Sequence, residues 1–514
     1  MDVTFAGSPL LSRVRRTNSL EVVLILVTVL LATPLFVRIG GPSLIGPPEN
    51  TVQRVGGYTL PLGAFACAAT AAVLYVVRWR RHLSRMSSAL DAPVLIFIAV
   101  CVLSLLLGLI LRPGIYNIMY FVQTTAPISA YYLASRVNRS ERRTHRVMVG
   151  LGAAAVASGA SLLFYALLER GPSRLFASDL PNHVGPLNIY QSNDYVPFVL
   201  AIVFLFSLAS LVRRERLGIA SMLFLFVLAL VALASYARGP VLVLIAGLGV
   251  LVGQSWRLHP VAVAKAMLVA VSAFMVAVTL GFSSVARVAD VAADLVSAAG
   301  GAPSGSGDLS TTTPTAGASA RKTAAPTTTA RVSPAPGPST SLPSQVIRSP
   351  NATPRASVED ISAQIGGDSQ SNESRLLSIQ IAADFIRRNP LFGSGFAPIP
   401  WQELSPLVKT LPPNLLFPAH NQYLDLGLRG GVPLLFAFAW IALASARLAW
   451  RGLRLSNPIG SAFAAGALAM LVPTLAVGNM YQDNFTQPFP AFLLWYILGT
   501  LSACENLADT RGGA

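Results

Sequence analysis

The chain has 514 residues, 53% of them hydrophobic and only 12% charged, with a formal net charge of +16. A charged fraction about half the usual one quarter excludes an ordinary soluble domain and reads as a membrane protein. In a soluble chain so basic a balance would point to nucleic acid; here the arginines gather in alternate connections between apolar segments, which is how orientation in a membrane is encoded.

In chain order, apolar spans are expected at about 20–37, 57–77, 92–111, 115–135, 147–168, 195–212, 217–236, 240–253, 260–282, 432–449, 458–478 and 488–503. Stretches such as "APVLIFIAVCVLSLLLGLIL" are long enough to cross about 30 Å of hydrocarbon as helix, whereas barrel strands would be shorter and alternating. The basic runs "RWRRHLSR", "RVNRSERRTHR", "RRER" and "ARLAWRGLRL" fall in every second connection, which puts both termini in the cytoplasm. Arg13, Arg15 and Arg16 precede the first span but no small-residue cleavage site follows it, so it reads as retained. The expected fold class is an all-α membrane protein of about twelve transmembrane helices with a large extracytoplasmic loop before the tenth. About nine helices fall in 1–282, the loop in 283–421 and about three helices in 422–514. Cys67, Cys101 and Cys504 lie in or beside apolar spans without metal-ligand spacing and read as small buried hydrophobes.

Two long connections remain on the outer side. The first, 169–194, mixes amides and aromatics. The second divides in two. Its tract 298–357 is rich in Thr, Ala, Pro and Ser, with too little apolar surface to offset the entropy of ordering, and is expected to be disordered, as linker or as O-glycosylated stalk. From 371 to 389 an amphipathic helix is expected, capped by Ser371 or Asn372, with an apolar stripe at Leu376, Ile379, Ala383 and Ile386 and a stop at Asn389-Pro390. "GSGF" then reads as a flexible turn.

Of five histidines, His183 and His420 fall on the outer side. His420 stands just before the tenth span, where an imidazole titrating near neutrality can take a proton from a hydroxyl; a plain hydrogen bond to loop backbone is the alternative. Arg238, in "SYARGP", reads as a lone cation in a short outer turn, against the orientation bias: it either snorkels to lipid phosphate or binds an anion. Arg375 stands in the first turn of the amphipathic helix, where unpaired N–H groups favour anions, or else pairs along that helix. Asn421 and Tyr423 are candidates for orienting sugar hydroxyls, Asn421 equally for capping the tenth span. Arg174, His183, Asn188, Tyr190 and Gln191 of the first loop, and Arg112 in the short "RPG" turn, rank below these.

The ordered set "SYARGP", "NESRLLSIQIAADFIRRNPLFGSGF" and "PAHNQYLDLGLRGG" resembles the O-antigen ligase and O-antigen polymerase superfamily of bacterial membrane glycosyltransferases, over about residues 190–450. The resemblance implies a GT-C-like helical architecture and a polyprenyl diphosphate-linked glycan as donor. It implies a saccharide or glycolipid acceptor, and a site at the outer face of the bacterial cytoplasmic membrane. It implies that Arg238 and Arg375 hold the donor diphosphate and that His420 is the base, with inversion and without metal or other cofactor. No outer Asp-x-Asp pair stands against that. The family's acid before the glycine is replaced here by Arg429 before Gly430-Gly431, which puts the acceptor side in question. Ligation, polymerisation and protein O-glycosylation share this chemistry. A non-catalytic transporter or flippase would instead place polar groups in the middle of several spans.

Overall fold

The computed structural model describes residues 26–27, 36–40, 57–61, 88–111, 113, 115–138, 140–170, 183–184, 189–190, 195–214, 217–233, 238–280, 372–396, 421–481, 484–485 and 488–509. The helices are α1 Asp91–Leu111, α2 Ile115–Thr125, α3 Ile128–Val137, α4 Glu141–Arg170, α5 Tyr195–Arg213 and α6 Ile219–Leu233. They continue with α7 Arg238–Ser255, α8 Pro260–Thr279, α9 Asn372–Arg388, α10 Gln422–Gly452, α11 Pro458–Pro473 and α12 Pro488–Asp509. Among the described residues four helices are long and apolar enough to cross a membrane: α1, α8, α10 and α11 with its continuation to Gly478. α5, α6, α7 and α12 carry shorter apolar stretches. The tract 298–357 lies outside the described residues.

Two small antiparallel ladders accompany the helices. β1 Phe36–Gly40 pairs with β2 Gly57–Pro61, with Phe36 opposite Pro61 and Gly40 opposite Gly57. This corrects the start of the expected span 57–77, whose first five residues are strand: "FVRIG" and "GYTLP" offer β-branched and aromatic residues flanking a Gly/Pro-rich connection. β3 His183–Val184 pairs with β4 Ile189–Tyr190.

Expected span 115–135 is two helices, not one. Pro127 has no N–H to continue the ladder, and the N–H groups of Ser129 and Ala130 turn tightly onto the carbonyls of Ala126 and Pro127, both at 3.0 Å. The expected span 458–478 is α-helical only to Pro473 and then widens into a π turn, Thr474–Gly478.

Two packing centres hold the bundle. In one, α5 is enclosed by α7 and α11, and helices meet where side chains are absent: a Cβ on Gly247 of α7 would lie 2.6 Å from the Ala469 carbonyl oxygen of α11. Gly466 of α11 likewise admits the Phe206 ring of α5, which meets the Phe463 ring at 5.0 Å with the planes tilted by 52°. In the other, Phe97, Tyr131, Phe438, Phe485 and Trp495 join α1, α3, α10 and α12 through ring contacts of 5.2 to 6.4 Å. Such close helix crossings and aromatic contacts are what remains to drive packing when lipid is as apolar as leucine.

Candidate active site at the start of the tenth helix

The expected amphipathic helix exists as α9, with a rotated face. Ile381, Ala382 and Phe385 are buried, whereas Ile379 and Ala383 of the expected stripe are exposed. The reason lies in its partner: α9 packs on the first half of α10, and a Cβ on Gly427 would stand 2.5 Å from Ile386 Cδ1.

Beyond α9 the chain forms a fixed hook, which corrects the reading of "GSGF" as flexible. α10 is broken at Gly431, whose φ of 65° and ψ of −159° lie in a region essentially confined to glycine. The break frees backbone groups. Pro433 cannot donate to the Arg429 carbonyl, and Val432 no longer reaches Leu428. The segment 390–395 takes up each of them: Ser394 N–H donates to the Leu428 carbonyl at 2.7 Å, Gly395 N–H to Arg429 at 3.0 Å, and Val432 N–H to the Pro390 carbonyl at 2.7 Å. Ser394 Oγ adds a bond to the Leu428 carbonyl at 2.9 Å. Gly395 meanwhile lies against the backbone of Gly108 in α1, leaving no room for a Cβ. Irregular backbone beside a membrane span is tolerated where protein satisfies its polar groups, as the hook does for these three.

Arg429 is committed to the same junction. Its Nε bonds Asp425 Oδ2 at 2.8 Å, and its guanidinium lies 4.9 Å from the Tyr120 ring centre and 5.8 Å from that of the buried Phe396. The residue that departs from the family's pattern therefore has a packing role, charge-paired within α10 and stacked on α2 and the hook.

Asn421 is the N-cap of α10: its Oδ1 accepts from Tyr423 N–H at 3.0 Å and Leu424 N–H at 3.1 Å, and its Nδ2 donates to the Met480 carbonyl at 3.2 Å. The Tyr423 hydroxyl donates to the Leu475 carbonyl. Tyr423 thus ties α10 to the π turn, and Asn421 ties it to the short helical turn Asn479–Tyr481 that follows. Gln422, also buried, accepts from Phe485 N–H at 2.7 Å, and Asn484 donates to Asn479 at 3.1 Å. This polar knot was missed in the sequence. Its signal in the sequence is the amide-rich "GNMYQDNF" between α11 and α12.

Three helix starts face the same end as the knot. Ile386 meets Gly427 and Pro390 meets Val432, so α9 and the first half of α10 run in the same direction. Arg375 is then about 16 Å along α9 from Ile386, and Asn421 about 9 Å along α10 from Gly427, toward one end. α7 reaches that end too: Val243 Cγ2 would be 2.9 Å from a Cβ on Gly478, two residues before Met480. Arg238 is the first residue of α7, which corrects its placement in a turn. His420 lies outside the described residues, next to Asn421, and only the backbones of Arg238 and Arg375 are described. Arg112, Arg174, Asn188 and Gln191 also lie outside them. His183 and Tyr190 are brought opposite each other across the β3–β4 ladder.

The fold and this junction define a helical membrane protein in which a capped, broken helix gathers three helix starts at one end. The family model of O-antigen ligase matches residues 223–439, from within α6 to the second half of α10 and including Arg238, Arg375 and His420. Over that region the chain is similar to the O-antigen ligase family. No curated protein matches the chain.

Proposed function

We propose that the protein takes a glycan from a polyprenyl diphosphate donor and passes it to a hydroxyl of a second saccharide at the extracytoplasmic face of the cytoplasmic membrane. The observation that supports this best is the family match over 223–439, because it spans Arg238, Arg375 and His420, and α7, α9 and α10 carry them or their neighbour at starts facing one end. Helix starts bear partial positive charge and unpaired N–H groups, so two arginines in the first turns of α7 and α9 add guanidinium forks to an already anion-favouring surface.

In the reaction, His420 takes the proton of the acceptor hydroxyl as its oxygen forms a bond to the anomeric carbon. The bond from that carbon to the diphosphate oxygen breaks on the opposite face, which inverts the configuration. The electron pair leaves with the diphosphate, and Arg238 and Arg375 stabilise the charge that develops there. Diphosphate departs readily, so a base and two cations suffice without a metal or an acid.

The test is glycan transfer by purified protein in bilayers supplied with lipid-linked glycan. His420→Ala is expected to lose a factor of about 10² or more in kcat, the usual worth of a positioned base. Transfer at the wild-type rate by that variant would remove the base assignment. Mass spectrometry of surface glycans with and without the protein identifies the acceptor.

A further inference from the structure

At the other end of the bundle from the starts of α7, α9 and α10, a crevice of about 420 Å³ opens between α4, α5 and α6. Its polar lining comes from His145, Ser207, Ser210 and Ser221, and its apolar lining includes Val203 and Phe224; none of the residues lining it is acidic. Phe224, at its edge, and Leu223 and Ile219 nearby on α6 are exposed large apolar side chains.

The cations beside it are incompletely satisfied. Arg213 Nε and Arg214 Nη2, at the end of α5, are buried and have no hydrogen-bond partner among the described residues. Arg214 and Arg146 lie within electrostatic reach of His145. A buried guanidinium N–H left unbonded is costly, so an anion that supplies acceptor oxygens here is favoured over water lost from the site.

The chemistry is graded with depth. Counting back along α5, the arginines at 213 and 214 come first, the serines at 210 and 207 next, and Val203 about 15 Å from Arg213. On α6, Ser221 likewise precedes Phe224. A phospholipid presents its groups in the same order: phosphate, then glycerol esters, then hydrocarbon, with headgroup and interface occupying about 6 Å on each side of the core. The flanking connections "RVNRSERRTHR" and "RRER" are the basic runs that orientation places in the cytoplasm, where anionic lipid is attracted to clustered arginine.

We propose that this crevice binds one anionic phospholipid of the cytoplasmic leaflet, with its phosphate on Arg213 and Arg214, its esters on the serine hydroxyls and one acyl chain between α5 and α6. A zwitterionic lipid presents an amine that the same cations repel, which makes headgroup charge the selecting feature. The site is independent of the glycan-transfer assignment.

Native mass spectrometry of the full chain with added phosphatidylglycerol or phosphatidylcholine tests it. The wild type is expected to keep one phosphatidylglycerol under conditions that strip phosphatidylcholine. Arg213→Gln/Arg214→Gln is expected to reduce that retention at least fivefold. Ser207→Phe, which fills the crevice and spares the arginines, is expected to reduce it comparably. Equal retention of the two lipids by the wild type, or unchanged phosphatidylglycerol retention in both variants, overturns the proposal. Should the variants not fold, phosphatidylglycerol with a photoreactive acyl chain is used on the wild type: crosslinks are expected within 203–224, and crosslinks confined elsewhere overturn it.

Discussion

The α5–α7–α11 stack and the α9–α10 junction both depend on glycine, for opposite reasons. In the stack the helices are unbroken, and Gly247 and Gly466 serve by lacking a side chain where a carbonyl or a phenyl ring approaches. At the junction the backbone itself departs from helix at Gly431, and three hydrogen bonds from 390–395 replace those the helix gave up. The stack tolerates variation in how tightly it closes. The junction tolerates little, since the freed Leu428 and Arg429 carbonyls are bonded by Ser394 and Gly395 and lose those bonds if the hook shifts.

Gly431→Ala breaks the comparison hardest. Alanine disfavours that φ and ψ, and its Cβ would run into the Pro390 carbonyl, so a loss of about 3 kcal/mol or more is expected, with glycan transfer lost alongside. Thermal unfolding in detergent reads it, and an unchanged midpoint would mean the break at Gly431 does not carry the junction. Gly247→Ala acts on the stack through crowding alone. With the Ala469 carbonyl 2.6 Å from the added carbon, a net loss of roughly 1–2 kcal/mol is expected after the gain in helix propensity, while transfer persists in the protein that folds. If Gly247→Ala instead removed activity at full stability, the two regions would not be separable in this way.

The stack was legible in the sequence because hydrophobic run length is a local property: α5, α7 and α11 begin within two residues of where the apolar segments begin. The junction was legible only in its pieces. "NPLFGSG" and "LRGGVP" are separated by more than thirty residues, and nothing in either alone says that Ser394 and Gly395 supply the N–H groups that Val432 turns away and Pro433 lacks. The stripe on α9 holds at Ile386, which packs against Gly427, and fails at Ile379 and Ala383, which are exposed while Ile381, Ala382 and Phe385 are buried. Periodicity finds an apolar face, but the choice between neighbouring faces was made by Gly427, on another helix, whose missing side chain admits Ile386. Arg238, Arg375 and His420 were picked out by residue type and order; the structure adds that the helices they begin or precede start toward one end.

Asn421 sharpens the boundary between junction and site. Asn421→Ala removes the cap of α10 and the bond to the Met480 carbonyl, for an expected loss of about 1 kcal/mol in unfolding. Asn421→Asp keeps an oxygen for the N–H groups of Tyr423 and Leu424 and forfeits only the amide donor. A purely structural Asn421 predicts that Asp restores most of the stability and the transfer rate together. Stability regained with transfer still absent would instead place its amide on the glycan.

The smallest effect is expected at Gly249, two residues beyond Gly247 on the same helix. A Cβ there meets nothing within 4 Å, and the helix around it is regular. Alanine then changes only the conformational freedom of the unfolded chain and the intrinsic preference for helix, which together favour the folded state by up to about 1 kcal/mol. Unfolding measurements on Gly249→Ala should show a small rise where Gly247→Ala shows a fall, with helix, depth and substitution shared by both. A fall at Gly249 would mean that the face of α7 carrying it is covered by something, and that glycine keeps a close approach there as it does at Gly247.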